Sequence, residues 1–82
     1  MRDLSFVSSL VKIRLISSLK RIAGFDFKEI EISMPTPLKD LIDLGISHER
    51  IVVIINETQG GTMDSIIEND DYVMLSPVFG GG

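Results

Sequence analysis

Tyr72-Val73-Met74-Leu75-Ser76-Pro77-Val78-Phe79-Gly80-Gly81-Gly82 closes the chain, and its reading decides the fold. An apolar run from Tyr72 to Pro77 predicts a last strand. Val78 onward predicts a tail. Glycines 80, 81 and 82 bury no side chain and lose more backbone entropy on ordering than other residues. They are poor material for a strand and good material for a thread. A thread without Cβ atoms enters a channel too narrow for any other residue, with a free carboxylate at its tip. The plain alternative is a frayed terminus without a role. Just before the glycines, Val78 and Phe79 are either the end of the core or an exposed anchor for a partner.

Working outward from that strand, Asn69-Asp70-Asp71 is a turn, since Asn and Asp tolerate left-handed backbone. Ser65-Ile66-Ile67 is a short pairing segment, and Asn56 to Gly61 is polar and turn-rich. Ile51-Val52-Val53-Ile54-Ile55 is a continuous β-branched run, which predicts a central strand covered on both faces or nearly so. Thr36 and Pro37 suit an N-cap and a first helical residue, predicting a helix over 37–44 that buries Leu38, Leu41 and Ile42. Ile30 and Ile32 alternate with Glu29 and Glu31 in a strand over about 27–33. Val11, Ile13 and Leu15 alternate with Lys12 and Arg14 in the first strand. Between these two strands, Ser17 or Ser18 caps a short helix reaching Ala23, with Leu19, Ile22 and Ala23 inward. Residues 1–9 read as an extension, 10–79 as one domain and 80–82 as a flexible glycine tail.

Composition narrows the function. The 82 residues suffice for one small domain, and a hydrophobic fraction of 44% supports a packed globule rather than disorder. A net charge of −4 argues against nucleic-acid binding, which calls for a basic face. No apolar run approaches the roughly 20 residues of a membrane span. Asp3, Lys12 and Arg14 interrupt the faintly signal-like start. The sequence holds no cysteine, so disulfides, thiolate metal sites and cysteine nucleophiles are excluded, which fits a reducing compartment such as the cytoplasm. His48 beside Glu49 reads as a surface histidine rather than a metal ligand, and no metal site is expected. Glu68, Asp70 and Asp71 lack calcium-loop spacing. Gly60-Gly61 lacks any phosphate-loop context. Of the methionines, Met34, Met63 and Met74 follow no stripe.

The predicted order is strand, short helix, strand, helix, buried strand, irregular stretch and last strand. One mixed sheet of four or five strands with helices on one face satisfies it: an α+β, β-grasp arrangement, with the first and last strands side by side. Leu15, Ile22, Ile32, Leu38, Leu41, Ile42, Val53, Ile55, Val73 and Leu75 form the expected core.

Five internal segments, followed by the terminal glycines, carry a family resemblance. They are Val11-Lys12-Ile13-Arg14-Leu15, Leu19-Lys20-Arg21-Ile22-Ala23-Gly24, Leu38-Lys39-Asp40-Leu41-Ile42, Val52-Val53-Ile54-Ile55-Asn56, and the run from Ile67 through Val73 to Pro77-Val78-Phe79-Gly80-Gly81-Gly82. In this order they resemble the ubiquitin-like sulfur carriers: the small subunit of molybdopterin synthase, the thiamine-pathway carrier and the small archaeal modifiers. The family's usual Asp-Gly-Asp turn is replaced here by Asn69-Asp70-Asp71. Three glycines look more like the thiamine carrier, whereas the N-terminal strand–helix–strand looks more like the molybdopterin type.

The resemblance implies a carrier rather than an enzyme. Gly82 would be adenylated with ATP by an activating partner and converted to a thiocarboxylate by sulfur from another protein. The sulfur would then pass to a synthase, either the large subunit of molybdopterin synthase or a thiazole synthase. The chain itself would bind no cofactor. Gly81 and Gly80 would lead into the partner's active site, with Phe79 and Val78 as contacts. Alternatively, the same adenylate is attacked by a lysine amine, making the chain a protein modifier. The expected free state is a monomer that meets its activating enzyme through the tail and part of the exposed sheet, steered by the acidic last turn.

Overall fold

The computed structural model describes residues 9–78. Residues 1–8, Phe79 and the expected glycine tail of Gly80, Gly81 and Gly82 lie outside the described residues.

The strands are β1 (Ser9–Leu15), β2 (Phe27–Ile32), β3 (Thr36–Pro37), β4 (Ile51–Ile55), β5 (Gln59–Gly61), β6 (Ile66–Ile67) and β7 (Tyr72–Pro77). One helix, α1 (Ser18–Ala23), lies between β1 and β2. Five strands form a sheet in the order β2-β1-β7-β4-β5, while β3 and β6 make a separate two-stranded ladder. β7 pairs parallel with β1 and antiparallel with β4, and every other pairing is antiparallel. This mixed sheet is the expected β-grasp arrangement. Its central strand is β7, with β1 and β4 on either side; β4 takes β5 as its second neighbour.

Alternation explains the core. Val11, Ile13, Leu15, Ile32, Ile51, Val53, Ile55, Val73 and Leu75 project from one face of the sheet and are buried. Leu19, Leu38, Leu44, Met63 and Ile67 cover them from the other side. Met63, which follows no stripe in the sequence, is a core residue. Leu41 and Ile42 pack partly buried against this cluster. Ile22, expected inside, is 49% exposed. β4 is covered on one face only: Val52 is 40% exposed and Ile54 half-buried. A β-branched run alone cannot reveal which face is covered, and here the second face is open.

The expected helix over 37–44 is absent. Thr36 and Pro37 are extended in β3, paired with Ile67 and Ile66. Only a single 3-10 turn, Leu38–Asp40, follows. The cause lies in the backbone donors. Leu38 N–H donates to Ser65 O at 2.9 Å and Lys39 N–H to Met63 O at 2.8 Å, so this segment is docked onto 62–67. Thr36 Oγ1 donates to Met34 O instead of capping. So short a helix is marginal by itself, and tertiary partners decide its fate.

α1 survives, ended by Gly24 with φ 85°. Neither serine caps it with a side chain. Ser17 instead adopts φ 58° and ψ −135°, a region that glycine favours. Gly61 serves another purpose, close approach. A Cβ there would sit 2.8 Å from Ile55 Cδ1 and 2.9 Å from Ser65 Oγ, so any larger residue would have to push those side chains aside for β5 to lie as closely against β4.

Candidate functional site

The central position of β7 fixes where the described part of the chain ends. At its start, Asp71 and Tyr72 are clamped. Lys12 N–H donates to Asp71 O at 3.0 Å, and Asn56 N–H to Tyr72 O at 2.7 Å. Asn56 then uses both ends of its amide. Its Oδ1 accepts from Tyr72 N–H at 3.0 Å and its Nδ2 donates to Asp71 Oδ1 at 3.1 Å. The other carboxylate oxygen of Asp71 accepts from Glu68 N–H at 2.8 Å. Asp70 takes φ 64°, as the turn reading requires. The Asp71 carboxylate is thus occupied by its own turn. Among the described residues no three histidine, aspartate or glutamate side chains gather as a metal site.

Further along β7, Ile16 N–H donates to Leu75 O at 3.0 Å. The last backbone bond runs from Val78 N–H to Arg50 O at 3.3 Å. Beyond it the fold holds no described residue. Val78 is 51% exposed, so of the two readings for this pair it follows the exposed one; Phe79 lies outside the described residues. Pro77, at the finish of the sheet's central strand, and Val78 after it are therefore the root of the expected tail.

Two surfaces flank β7. The first is the uncovered face of the sheet. Pairing aligns Phe27, Arg14, Met74, Ile54 and Gly60 in one row across all five strands, with Ser76 and Val52 beside it. The Arg14 guanidinium lies 5.1 Å from the centroid of the Phe27 ring, and its Nε donates to the Tyr72 hydroxyl at 3.0 Å. Arg14 is thus held flat on the sheet by an aromatic neighbour on one strand and a phenol on another. Toward the β2 edge the same face carries Lys12, Glu29 and Glu31.

The second surface is a groove of about 430 Å³ beside the tail root, lined by Ser18, Leu19, Ile22, Ile46, Glu49, Arg50, Pro77 and Val78. α1, the 3-10 turn His48–Arg50 and the end of β7 form its walls. Ser47 Oγ accepts weakly from Glu49 N–H at 3.4 Å and starts that turn. His48 is exposed on it, which agrees with a surface histidine. Sequence reasoning did not find the groove, because Ile22, Ile46 and Val78 belong to three unconnected segments. The clamp was better signalled: a polar Asn56 straight after an apolar strand marks a turn residue with hydrogen-bonding duty.

The acidic turn and the tail root lie at opposite ends of β7. Glu68, Asp70 and Asp71 border its start, whereas Arg50 borders its finish.

No protein-family model matches this chain, and no curated protein matches it. Solved structures do. SAMP1 from Haloferax volcanii aligns with a TM-score of 0.68 at 17% identity, over 90% of this chain and 100% of that one. A protein from Pyrococcus furiosus, described as subunit 1 of a molybdopterin converting factor, aligns at 0.63 and 20% identity, over 84% and 97% of the two chains. The small archaeal modifier protein 1 from Methanosarcina acetivorans aligns at 0.57 and 16% identity, over 93% and 99%. The chain has the ubiquitin-like β-grasp fold of these small proteins. Among the described residues no helix is long and apolar enough to cross a membrane.

Proposed function

We propose that the protein is a ubiquitin-like carrier activated at its C-terminal glycine, Gly82. The observation that supports this most is the placement of the tail root: Pro77 and Val78 leave the central strand of a β-grasp sheet with an open, partly apolar face beside them. The solved structures that share the fold include proteins named as modifiers and one named for molybdopterin conversion.

The chemistry follows from the carboxylate. A carboxylate is a poor electrophile. Attack of a Gly82 oxygen on the α-phosphorus of ATP, held by a partner enzyme, releases pyrophosphate and gives an acyl-adenylate. The terminal sulfur of a partner's persulfide displaces AMP to form an acyl disulfide. A second thiolate cleaves its S–S bond, leaving a thiocarboxylate. Every sulfur comes from outside, because this sequence has no cysteine. Gly81 and Gly80 form the slim lead into the partner's channel. Within such a channel their backbone N–H and C=O groups would pair with its walls. Phe79 and Val78 make the first contacts outside it. The acceptor is a synthase making molybdopterin or a thiazole. The site of action is the cytoplasm, and the free carrier is a monomer.

A second reading is a protein modifier, in which a lysine amine attacks the same adenylate. The modifier proteins among the fold neighbours favour keeping it.

The test is ATP–pyrophosphate exchange with the activating enzyme of the same genome. Deleting Gly81 and Gly82 is expected to abolish exchange and leave the melting temperature unchanged. A truncated protein that exchanges at the wild-type rate rejects activation at Gly82. Intact-mass analysis of protein from its own cells then separates the branches. The mass gain of one oxygen replaced by sulfur marks the carrier, and conjugates on other proteins mark the modifier.

A further inference from the structure

We propose that the groove between α1 and the tail root is a docking site for an acidic, apolar-anchored segment of the enzyme that activates the tail. The partner's identity rests on the carrier reading; the groove itself does not. Its walls are Ile22 and Leu19 of α1, Ile46, and Pro77 and Val78. Ile22 and Val78, each about half exposed, face solvent on either side of it. A volume of about 430 Å³ lies within the ordinary range of binding pockets and admits an anchoring side chain.

Three observations select a protein segment as occupant. No buried polar or charged residue occurs among the described residues, so nothing desolvated is positioned to orient a small polar metabolite. An aliphatic or aromatic anchor needs only apolar walls. Next, the groove is continuous with the tail root, since Pro77 and Val78 serve both. An enzyme that grips the residues after Val78 necessarily stands beside it. Finally, the charge is right for an acidic partner. The lining carries Arg50 against Glu49, and Arg21 stands exposed on the flank of α1, a local basic excess in a chain whose net charge is −4. At 100° per helical residue, Arg21 lies on the outer flank of α1 beside Ser18. Carboxylates flanking the anchor would face Arg21 on one rim and Arg50 on the other. The strained Ser17 backbone fixes where α1 begins, and hence where Ser18, Leu19 and Ile22 stand against Val78.

The experiment measures pyrophosphate exchange against concentration of full-length carrier, using the activating enzyme of the same genome. Ile22→Glu places a carboxylate in the groove and is expected to raise KM about tenfold while kcat stays near wild type. Arg21→Glu combined with Arg50→Glu is expected to raise KM similarly and to flatten its dependence on salt. Lys28→Glu, a matched charge change on β2, is expected to leave both parameters alone. Ile22→Ser, which only shortens the wall, serves if the glutamate variant melts early. KM values for Ile22→Glu and the double reversal equal to wild type would overturn the docking site. Exchange lost only on deleting Gly81 and Gly82 would still leave the carrier reading standing. If the deletion leaves exchange intact, the carrier reading falls. The groove is then judged by adding the enzyme without ATP to the nitrogen-15-labelled chain. Broadening of the Ser18, Ile22, Ile46 and Val78 amides supports docking, and its absence rejects it.

Discussion

The two ends of β7 are built on different principles. At the start, Asn56, Asp71, Glu68 and Tyr72 lock one another through directional hydrogen bonds, and the backbone there bends at Asn56 (φ 53°), Glu57 (φ 73°) and Asp70 (φ 64°). At the finish, about 17 Å along the strand, there are a single backbone bond from Val78 to Arg50 and an apolar groove. The polar end specifies register. The apolar end leaves surface uncommitted. The proposed carrier role calls for both: a strand that cannot slip and a terminus that another protein can take hold of.

The contrast can be broken most severely from the middle. Leu75 is fully buried between the two ends, and Leu75→Ala is expected to cost about 2–5 kcal/mol in urea unfolding by losing transfer energy and leaving a cavity. Both ends should loosen together; a loss below about 0.5 kcal/mol, the range of surface substitutions, would refute a shared core.

The clamp comes next. Asn56→Ala removes both side-chain hydrogen bonds and puts a Cβ-restricted residue at positive φ, for an expected loss of about 1–3 kcal/mol. Asn56→Gly removes the bonds but keeps the φ. If glycine restores full stability, the clamp acts through backbone conformation and not through its hydrogen bonds.

At the groove end the expected sign reverses. Ser17→Gly relieves a conformation costing on the order of 1–3 kcal/mol, partly offset by the greater entropy of unfolded glycine. A higher melting temperature is expected, and a lower one would show that the Ser17 side chain contributes more than its backbone costs.

The smallest effect belongs to neither end. Lys39 Nζ lies 2.9 Å from Asp64 Oδ1, both side chains well exposed. The hydrogen bond and then the charge of Lys39 lower the Asp64 carboxyl from its ordinary value, and the same two causes raise Lys39. A lowered acid favours folding above its unfolded pKa and loses that support as pH falls through the folded value. A raised lysine favours folding below its unfolded pKa and loses it as pH climbs through the folded one. Lys39→Met is therefore expected to change the melting temperature slightly near neutral pH and not at all in strong acid. An effect that persists in acid would implicate packing of the lysine stem.

The fold was legible where one face of a segment is apolar and the other charged. Val11, Ile13 and Leu15 against Lys12 and Arg14, or Ile32 against Glu31, state their burial directly, and the β-grasp order follows from a few such strands. It was illegible where burial depends on a partner remote in sequence. The 37–44 segment carries good helix signals, yet Ser65 O and Met63 O take its first donors. Ile22 sits at helical spacing from Leu19 but on the flank that faces the groove. β4 is apolar throughout because its outer residues, Val52 and Ile54, belong to the open face. The tail glycines are plain in the sequence, whereas the groove beside their root needs three distant segments to be folded first.

The edge strand β2 has its own consequence. Two copies adding edge to edge in antiparallel register keep their faces matched only if residues of like parity meet. Centred within residues 28–31, such a pairing sets Lys28 against Lys28, Glu29 against Glu29, Glu29 against Glu31, or Glu31 against Glu31. Like charges directly opposite destabilise a ladder, so the alternating glutamates disfavour two copies joining at β2, an edge of the described sheet. The same edge remains open to a foreign strand whose residues opposite Glu29 and Glu31 are neutral or basic. In those registers the β2 edge thus discriminates by charge against a second copy of itself.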